Sequence, residues 1–210
     1  MRYPLLSSVL LLLFFSCAEQ AKFLAPDFTV PERIAILPTI NSTSDVKGGI
    51  VIRYLFYEEL ADKEYCQLVD PDLIDSLLNL EGITDGGQLS TVEDSVLHRI
   101  LRSDGLLYVT LLECEYQTLG ISSTKKVKAN FQLFILVHHL IWEDERAVEE
   151  GKSWMETLFE VLADPGKAVD KSLHDLGDQV KEKAAKMWLE EHELKDQMME
   201  IIEKTLKTLP

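Results

Sequence analysis

The sequence predicts an α/β fold: a mixed sheet of about five strands flanked by helices, with a long C-terminal helical segment. Two observations support this prediction. In the first half of the chain, apolar stretches of strand length alternate with amphipathic stretches of helical length, which favours parallel strands joined by helices. Later strand-like stretches are apolar on both faces, and such strands need a packed layer on each side.

The first half of the chain is predicted to contain two strands and three helices. Apolar side chains at helical spacing, such as Val51 and Leu55, indicate the first helix. Asp70 marks the start of the second helix and Gly82 its end, and Ser90 is the predicted cap of the third. The strands are expected at 33–37 and 65–69, and the helices at 46–61, 70–80 and 90–102.

The second half is predicted to form a strand meander. Strand-like stretches at 106–112 and 127–137 are apolar on both faces over much of their length, notably at 133–137. A turn near Asp144-Glu145 would lead into a last strand within residues 151–162. The sheet is therefore expected to be parallel in its early part and antiparallel in its late part.

Residues 165–206 show helical periodicity in two parts. A first apolar stripe reaches Met187, a charged stretch interrupts it at 190–193, and a second stripe follows. The second stripe either forms a partner surface, for docking or for a homodimer, or packs back onto its own domain. It consists of Leu194, Met198, Ile201, Ile202 and Leu206.

The amino terminus is typical of a bacterial lipoprotein signal. Arg2 precedes an uncharged apolar run from Leu5 to Phe15. This run is shorter than the roughly 20 residues that a membrane-spanning helix needs. Ser16 places a small residue before Cys17, whose thiol is the predicted site of lipid attachment and palmitate labelling. The alternative is a plain secretory signal that is cut nearby.

The chain is therefore divided into a signal peptide (1–16), a lipidated tether (17–31), an α/β domain (32–189) and a C-terminal helical extension (190–210). Ala18, rather than an aspartate, follows the lipid-bearing cysteine, which by the enterobacterial sorting rule favours the outer membrane. The formal net charge of −15 argues against nucleic acid as a partner, because phosphates require a basic surface. Membrane attachment must then depend on the acyl chains.

No motif for catalysis stands out. The sequence has no phosphate-binding loop, dinucleotide fingerprint, zinc-protease motif or nucleophile turn. We therefore expect no enzyme activity, no catalytic residues, no cofactor and no metal. His138 and His139 are adjacent on a predicted strand, so they would point to opposite faces and could not share one metal ion.

Two further residue pairs have simple structural interpretations. Glu113 and Glu115 share a strand face, which suits the solvated end of a strand better than a catalytic carboxylate pair. Cys66 and Cys114 lie in predicted strands. In an oxidising compartment they could form a disulfide, and otherwise they would remain buried free thiols.

Three segments carry a family resemblance. They are 31–47 (PERIAILPTINSTSDVK), 82–85 (GITD) and 101–110 (LRSDGLLYVT). Their order and spacing resemble a family of bacterial envelope lipoproteins first noted among meningococcal surface antigens, which usually has alanine in place of Ser103 or Gly105. The resemblance covers residues 31–185. It implies an α/β domain similar to the amino-terminal domain of TolB and to the periplasmic part of the curli secretion lipoprotein CsgG.

The resemblance also implies a role in the cell envelope, because family members tend to be encoded beside a CsgG-like lipoprotein. Our hypothesis is a non-enzymatic, lipid-anchored periplasmic subunit of an outer-membrane secretion or transport assembly that works with a CsgG-like lipoprotein. The alternative is a surface-exposed lipoprotein that binds an extracellular or host ligand. A hydrolase with a scattered site would require converging serine, histidine and carboxylate groups.

Overall fold

The computed structural model describes residues 21–119, 122–136, 138–152 and 192–210. They form one mixed sheet flanked by helices, which confirms the predicted fold class. The strands are β1 (Phe23–Leu24), β2 (Arg33–Ile36), β3 (Ile40–Asn41), β4 (Gln67–Leu68), β5 (Gly105–Leu119), β6 (Ser122–Ile135) and β7 (His139–Lys152). The helices are α1 (Gly48–Asp62), α2 (Pro71–Leu80), α3 (Asp94–Leu101) and α4 (Lys195–Leu206), with a 3-10 helix at Gly86–Thr91.

The sheet is parallel in its early part and antiparallel in its late part, as predicted. Its strand order is β1-β7-β6-β5-β2-β4, with β3 beside β5. Strand β2 pairs in parallel with β4 and β5, and β3 pairs in parallel with β5. Strands β5, β6, β7 and β1 pair antiparallel. Within the described residues the sheet has seven strands rather than about five, because β1 and β3 are too short to show a period of two.

Helices α1 and α4 cover one face of the sheet. Val109 of β5, Phe131 of β6 and Trp142 of β7 are fully buried in this core. The ring of Phe56 on α1 stacks on Phe131 with their centroids 5.0 Å apart. Burial of one such side chain stabilises a fold by about 1.5–3 kcal/mol. This core therefore fixes both helices to the meander.

Among the residues that the structure describes, the other face is covered only over the parallel half of the sheet. There Ala35 of β2 and Leu106 of β5 pack with Ile74 of α2 and Leu97 of α3. Farther along β5 and β6 this face carries ion pairs instead, such as Lys126 with Glu113 at 2.6 Å. Glu113 and Glu115 thus lie on a solvated face, as the sequence suggested, but within β5 rather than at its end, because the strand continues to Leu119.

Local capping explains where α2 begins and ends. The Asp70 side chain accepts hydrogen bonds from the backbone N–H groups of Asp72 and Leu73, which are donors that a helix start leaves unpaired. Gly82 follows the helix with a φ of 80°, a conformation that favours glycine. The predicted boundaries of this helix are confirmed.

The helix predicted at 90–102 is confirmed over Asp94–Leu101, but its predicted start is wrong. The chain instead forms the 3-10 helix and then α3, and Ser90 caps neither. Asp85 and Gln88 form a capping box at the start of the 3-10 helix, which interrupts the helical pattern before α3. A Cβ atom at Gly86 would lie 2.3 Å from the carbonyl oxygen of Thr39, so only glycine permits this close approach to the segment before β3.

Strand β6 ends at Ile135 and β7 begins at His139, so the chain reverses there and not near Asp144-Glu145. Strand β7 runs through the predicted turn because the buried Asp144 carboxylate is paired within the domain. Its Oδ2 accepts hydrogen bonds from Arg146 Nε at 2.8 Å and Thr208 Oγ1 at 3.0 Å. The polar residues therefore mark a buried ion pair. The predicted strand at 151–162 overlaps only the end of β7, and its part beyond residue 152 lies outside the described residues.

The expectation that residues 133–137 are covered on both faces is only partly correct. Leu133 is buried in the core under α1 and α4, and Phe134 faces the other side. Strand β6 ends at Ile135, and Leu136 is 57% exposed. The expected burial of Leu136 is therefore wrong, because the strand ends one residue before it. Val137 lies outside the described residues.

The predicted tether at 17–31 is shorter in the structure. Strand β1 pairs with β7, and the backbone N–H of Ala25 donates to the carbonyl oxygen of Ile141 at 2.9 Å. Pro31 is buried. From Phe23 onward the chain is thus part of the folded domain, whereas residues 17–20 lie outside the described residues.

The second apolar stripe is buried in its own domain, so its prediction as a partner surface is corrected. The five side chains belong to the same core as α1 and the meander, because without α4 the inner face of β6 and β7 would be open to water. The C-terminal helix is therefore a layer of the α/β domain, not a projecting extension. The first stripe, up to Met187, lies outside the described residues. The buried residues are Leu194, Met198, Ile201, Ile202 and Leu206.

This packing predicts different costs for two matched substitutions. Leu206→Ala removes a side chain that is 5% exposed at the last residue of α4, and it should lower the free energy of unfolding by about 2–5 kcal/mol. Leu80→Ala removes the same atoms at the last residue of α2, where the leucine is 83% exposed, and should change little. Urea unfolding of both variants measures the difference. Equal values would contradict the burial of α4.

Candidate functional site

An open groove lies on the sheet face that α2 and α3 leave uncovered. Its volume is about 930 Å³. The 3-10 helix and the start of α3 form one wall, and β5, β6 and the turn after β6 form the floor and the opposite rim. The lining residues are Ile40, Leu89, Ser90, Val92, Glu93, Asp94, Ser95, Tyr108, Gln132, Phe134, Leu136 and His138.

The floor of the groove is aromatic. Tyr108 of β5 and Phe134 of β6 meet edge to face with ring centroids 5.5 Å apart. The imidazole ring of His138 stacks on Phe134 at 4.7 Å. Such ring contacts stabilise beyond the area they bury, by about 0.5–1.5 kcal/mol. The three rings therefore form a continuous surface that fits an apolar or aromatic group.

A buried carboxylate organises this aromatic floor. Asp94 is the first residue of α3, where the helix dipole favours a negative charge. Its Oδ1 accepts a hydrogen bond from the Tyr108 hydroxyl at 2.7 Å, and its Oδ2 lies 2.5 Å from His138 Nδ1. Burial, together with the hydrogen bond and the charge of Asp94, raises the pKa of Tyr108 well above its ordinary value. Tyr108 therefore remains a neutral donor.

The backbone at His138 aims its imidazole at Asp94. Its φ is 55°, so it lies in a left-handed turn rather than on a strand, and the expectation that His138 and His139 occupy one strand is wrong. His139 is the first residue of β7. The His138 side chain is 73% exposed, so the ring edge away from Asp94 is accessible to a ligand in the groove.

A second cluster joins α1, β5 and the segment before α4. Asp45 Oδ1 accepts hydrogen bonds from the backbone N–H groups of Lys47 and Gly48, each at 2.9 Å. Asp45 Oδ2 lies 2.9 Å from His192 Nε2 and 3.4 Å from Cys114 Sγ. The carboxylate thus connects three distant parts of the chain, and we call these three side chains the Asp45 clasp.

The three side chains of the Asp45 clasp are of types that bind metal ions. Their protonation, however, does not suit metal binding. The ligand atoms of Asp45, Cys114 and His192 lie within 4.8 Å of one another. However, His192 Nδ1 accepts a hydrogen bond from the backbone N–H of Leu194 at 3.2 Å, so Nε2 carries the ring proton. A metal-binding histidine normally donates its second ring N–H to an acceptor. Burial and the Asp45 carboxylate also raise the pKa of Cys114 to about 12, which keeps the thiol protonated.

Both cysteines of the described residues are free thiols. Cys66 is half-buried and Cys114 is buried. Of the two alternatives, the structure therefore shows free thiols rather than a disulfide. Burial, followed by the nearby Asp104 charge, raises the pKa of Cys66 to about 11. Neither thiol is thus a reactive thiolate at neutral pH.

Cys17, the predicted lipid site, lies outside the described residues. Within the described ranges, no helix combines the length and the apolar character that a bilayer span requires.

The sequence did not predict the groove. The polar residues that line it lie far apart in the chain, and the one local feature that could have indicated it was a tyrosine within an apolar strand.

The α/β domain, together with the family and the relative that it matches, defines the class of protein as a bacterial envelope lipoprotein. More specifically, the chain belongs to the GNA1162-like lipoprotein family, whose model matches residues 25–199. A lipoprotein of Neisseria meningitidis serogroup B, NMB1124/NMB1162, is 25% identical over 197 residues, which cover 87% of this chain and 88% of the relative.

One solved structure supports the fold, and a second is reported for comparison. The crystal structure of lipoprotein GNA1162 from Neisseria meningitidis matches with a TM-score of 0.54 and 19% identity, over 67% of this chain and 99% of that one. The C-terminal domain of LpoB from Salmonella enterica is less similar, with a TM-score of 0.43 and 16% identity, over 59% of this chain and 87% of that one.

The role of Asp94 predicts the effect of removing one hydroxyl group. Tyr108→Phe leaves a buried carboxylate oxygen without its donor, which should lower the free energy of unfolding by about 1–3 kcal/mol. Tyr116→Phe is the matched control, because its ring is exposed on the same strand. Urea unfolding measures both. If the two variants were equally stable, the hydrogen bond from Tyr108 to Asp94 would not stabilise the fold.

The Asp45 clasp predicts a loss of stability in acid. Burial tends to raise the pKa of Asp45, but the Gly48 N–H, the nearby His192, the Cys114 thiol and the Lys47 N–H lower it overall. Because the folded pKa lies below the unfolded one, the unfolded state binds more protons between the two values. The contribution of Asp45 to the free energy of unfolding is fully present above the ordinary aspartate pKa of about 3.9. It is lost as the pH falls through the pKa that Asp45 has in the folded state.

Asp45→Asn removes this titration and keeps the size of the side chain. Its unfolding free energy should therefore change less between neutral pH and about pH 3 than that of the parent chain. Chemical unfolding across this pH range measures both slopes. A steeper acid loss in the variant would contradict the lowered pKa.

Proposed function

We propose that the protein is a non-enzymatic, lipid-anchored subunit of an envelope secretion or transport assembly. It is attached through Cys17 to the outer membrane, faces the periplasm and binds a CsgG-like lipoprotein. The groove is the observation that carries this proposal. It offers a partner a concave, aromatic surface on a rigid sheet, next to an exposed leucine at position 136.

The groove has the composition of a protein-binding surface. Interfaces depend on a few buried aromatic or large apolar anchors within a polar rim. Here Tyr108 and Phe134 supply the apolar floor, and Glu93 and His138 supply the rim. An apolar side chain of the partner would fill the floor, while the free ring edge of His138 would hydrogen-bond to the partner's backbone or to a polar side chain.

The state of Asp94 argues against a role for its carboxylate as a general base. Both of its carboxylate oxygens are engaged, one by Tyr108 and one by His138. A general base needs an oxygen or nitrogen within reach of a substrate proton, and the carboxylate of this groove faces its own domain instead. The family resemblance to proteins encoded beside CsgG-like lipoproteins supports the choice of partner.

Lipid attachment and orientation can be tested together. The parent chain should incorporate radiolabelled palmitate and fractionate with the outer membrane, because Cys17 carries the acyl chains. Cys17→Ser should lose the label and become soluble in the periplasm. Protease added to intact cells should leave the parent chain uncut. Label retained by Cys17→Ser would contradict the anchor, and digestion in intact cells would favour the surface-exposed alternative that binds an extracellular ligand.

Partner binding can be tested with a photo-crosslinking residue at Leu136, on the rim of the groove. Co-expressed CsgG-like lipoprotein should be crosslinked from this position. Leu80 is the matched control, because it is an exposed leucine on α2, outside the groove. Phe134→Ala should weaken the crosslink from position 136, since it removes part of the floor. Equal crosslinking from both positions, or none from position 136, would contradict the role of the groove.

A further inference from the structure

A second cavity lies next to the groove, where the parallel strands β2, β4 and β5 begin and α3 ends. Its volume is about 550 Å³. It shares only Ser95 and Leu136 with the groove. Three arginines line it, and we call it the arginine cavity. They are Arg33, Arg99 and Arg102.

The partners of the other arginines make this grouping informative. The sequence has six arginines, of which Arg2 lies in the predicted signal peptide. Arg53 pairs with Asp75 at 2.7 Å, and Arg146 pairs with Asp144 at 2.8 Å. The remaining three all line the arginine cavity, and within the described residues none of them forms an ion pair. This is unexpected in a chain with 36 acidic and 21 basic residues.

The two acidic residues that line the cavity do not occupy the arginine side chains. Asp104 Oδ2 accepts a hydrogen bond from the backbone N–H of Glu32 at 2.8 Å, and its Oδ1 accepts one from the backbone N–H of Arg33 at 2.6 Å. The Glu32 side chain is exposed at the rim. The guanidinium groups therefore keep their N–H donors for a partner from outside the described residues.

The end of α3 does not by itself explain the three arginines. The helix dipole stabilises cations near a C-terminus, which accounts in part for Arg99 and Arg102. However, the His98 carbonyl at this end already accepts hydrogen bonds from the backbone N–H groups of Arg102 and Ser103. Arg33 belongs to β2 rather than to the helix, so its position in the same cavity needs another reason.

Two buried polar side chains in the wall of the cavity also lack a partner. His98 is 4% exposed and Ser103 is 7% exposed, and both line the cavity. His98 Nδ1 lies 2.8 Å from the carbonyl oxygen of Ser103, but within the described residues His98 Nε2 and Ser103 Oγ have no hydrogen-bond partner. Unpaired buried polar groups are rare in folded proteins. A ligand with acceptor oxygens, or the water around it, would give the Ser103 hydroxyl a partner.

We propose that the arginine cavity binds a terminal phosphate group, carried by a small soluble compound or by a lipid headgroup. The planar guanidinium fork matches phosphate oxygens in pairs. A phosphate monoester carries about two negative charges and three acceptor oxygens, so it suits three arginines better than a carboxylate does. The net charge of −15 disfavours a long polyanion. It does not prevent binding of one phosphate, because salt screens exposed charges beyond about 10 Å.

Calorimetric titration of the full lipidated chain, in a neutral detergent, with inorganic phosphate tests the site. The parent chain should bind phosphate saturably. Arg99→Gln/Arg102→Gln should weaken binding by about tenfold or more, because it removes strong charge-assisted hydrogen bonds. Lys63→Gln/Lys207→Gln is the matched control, since it removes two charges from exposed lysines outside the cavity and should leave the affinity unchanged. No saturable binding by the parent chain, or equal weakening in both variants, would overturn the proposal.

Further ligands distinguish the sources of the phosphate group. Glycerol 3-phosphate represents a soluble compound, and dihexanoyl phosphatidic acid represents a lipid headgroup. Either supports the proposal if its binding is weakened by Arg99→Gln/Arg102→Gln, and the tighter ligand identifies the source. Acetate at the same concentration should displace little phosphate, and complete displacement by acetate would overturn the choice of phosphate over a carboxylate. The inference depends neither on the lipid anchor nor on the groove, so palmitate labelling and crosslinking test them separately.

Discussion

The rest of the structure depends on covering one face of three long antiparallel strands. Strands β5, β6 and β7 present a continuous apolar face, and water is excluded from it by α1 from the early part of the chain and α4 from its end. Met198, Ile201 and Ile202 are fully buried there. Hydrophobic burial is not directional, so the register of α4 is also held by specific polar contacts. Thr208 bonds to Asp144, and His192 bonds to Asp45.

Covering this face leaves the opposite face for function. Helices α2 and α3 reach only the parallel half of the sheet, so Tyr108 and Phe134 remain at the floor of an open groove. The carboxylate of Asp94 gives this floor a fixed geometry, because it joins α3, β5 and the turn before β7. Preorganised apolar surfaces reduce the entropy cost of binding a partner.

Local patterns in the sequence predicted the elements, but not all of their contacts. Asp70, Pro71 and Gly82 were sufficient to predict α2, because caps act over a few residues. The groove could not be predicted in this way. Asp94 contacts residues that lie 14 and 44 positions away in the chain, and the left-handed backbone of His138 has no local signal. Asp144 resembled a turn residue because its buried partner, Thr208, lies 64 positions away in the chain. The stripe from Leu194 to Leu206 shows that helical periodicity reports an apolar face without specifying what covers it.

Amide hydrogen exchange on the full chain tests the central claim, that α1 and α4 form one layer over the meander. Elements of one cooperative unit open with the same free energy. The account predicts that amides in α4 (Lys195–Leu206) and in α1 (Gly48–Asp62) exchange with the same high protection and respond together to denaturant. Rapid exchange in α4, with α1 still protected, would contradict it.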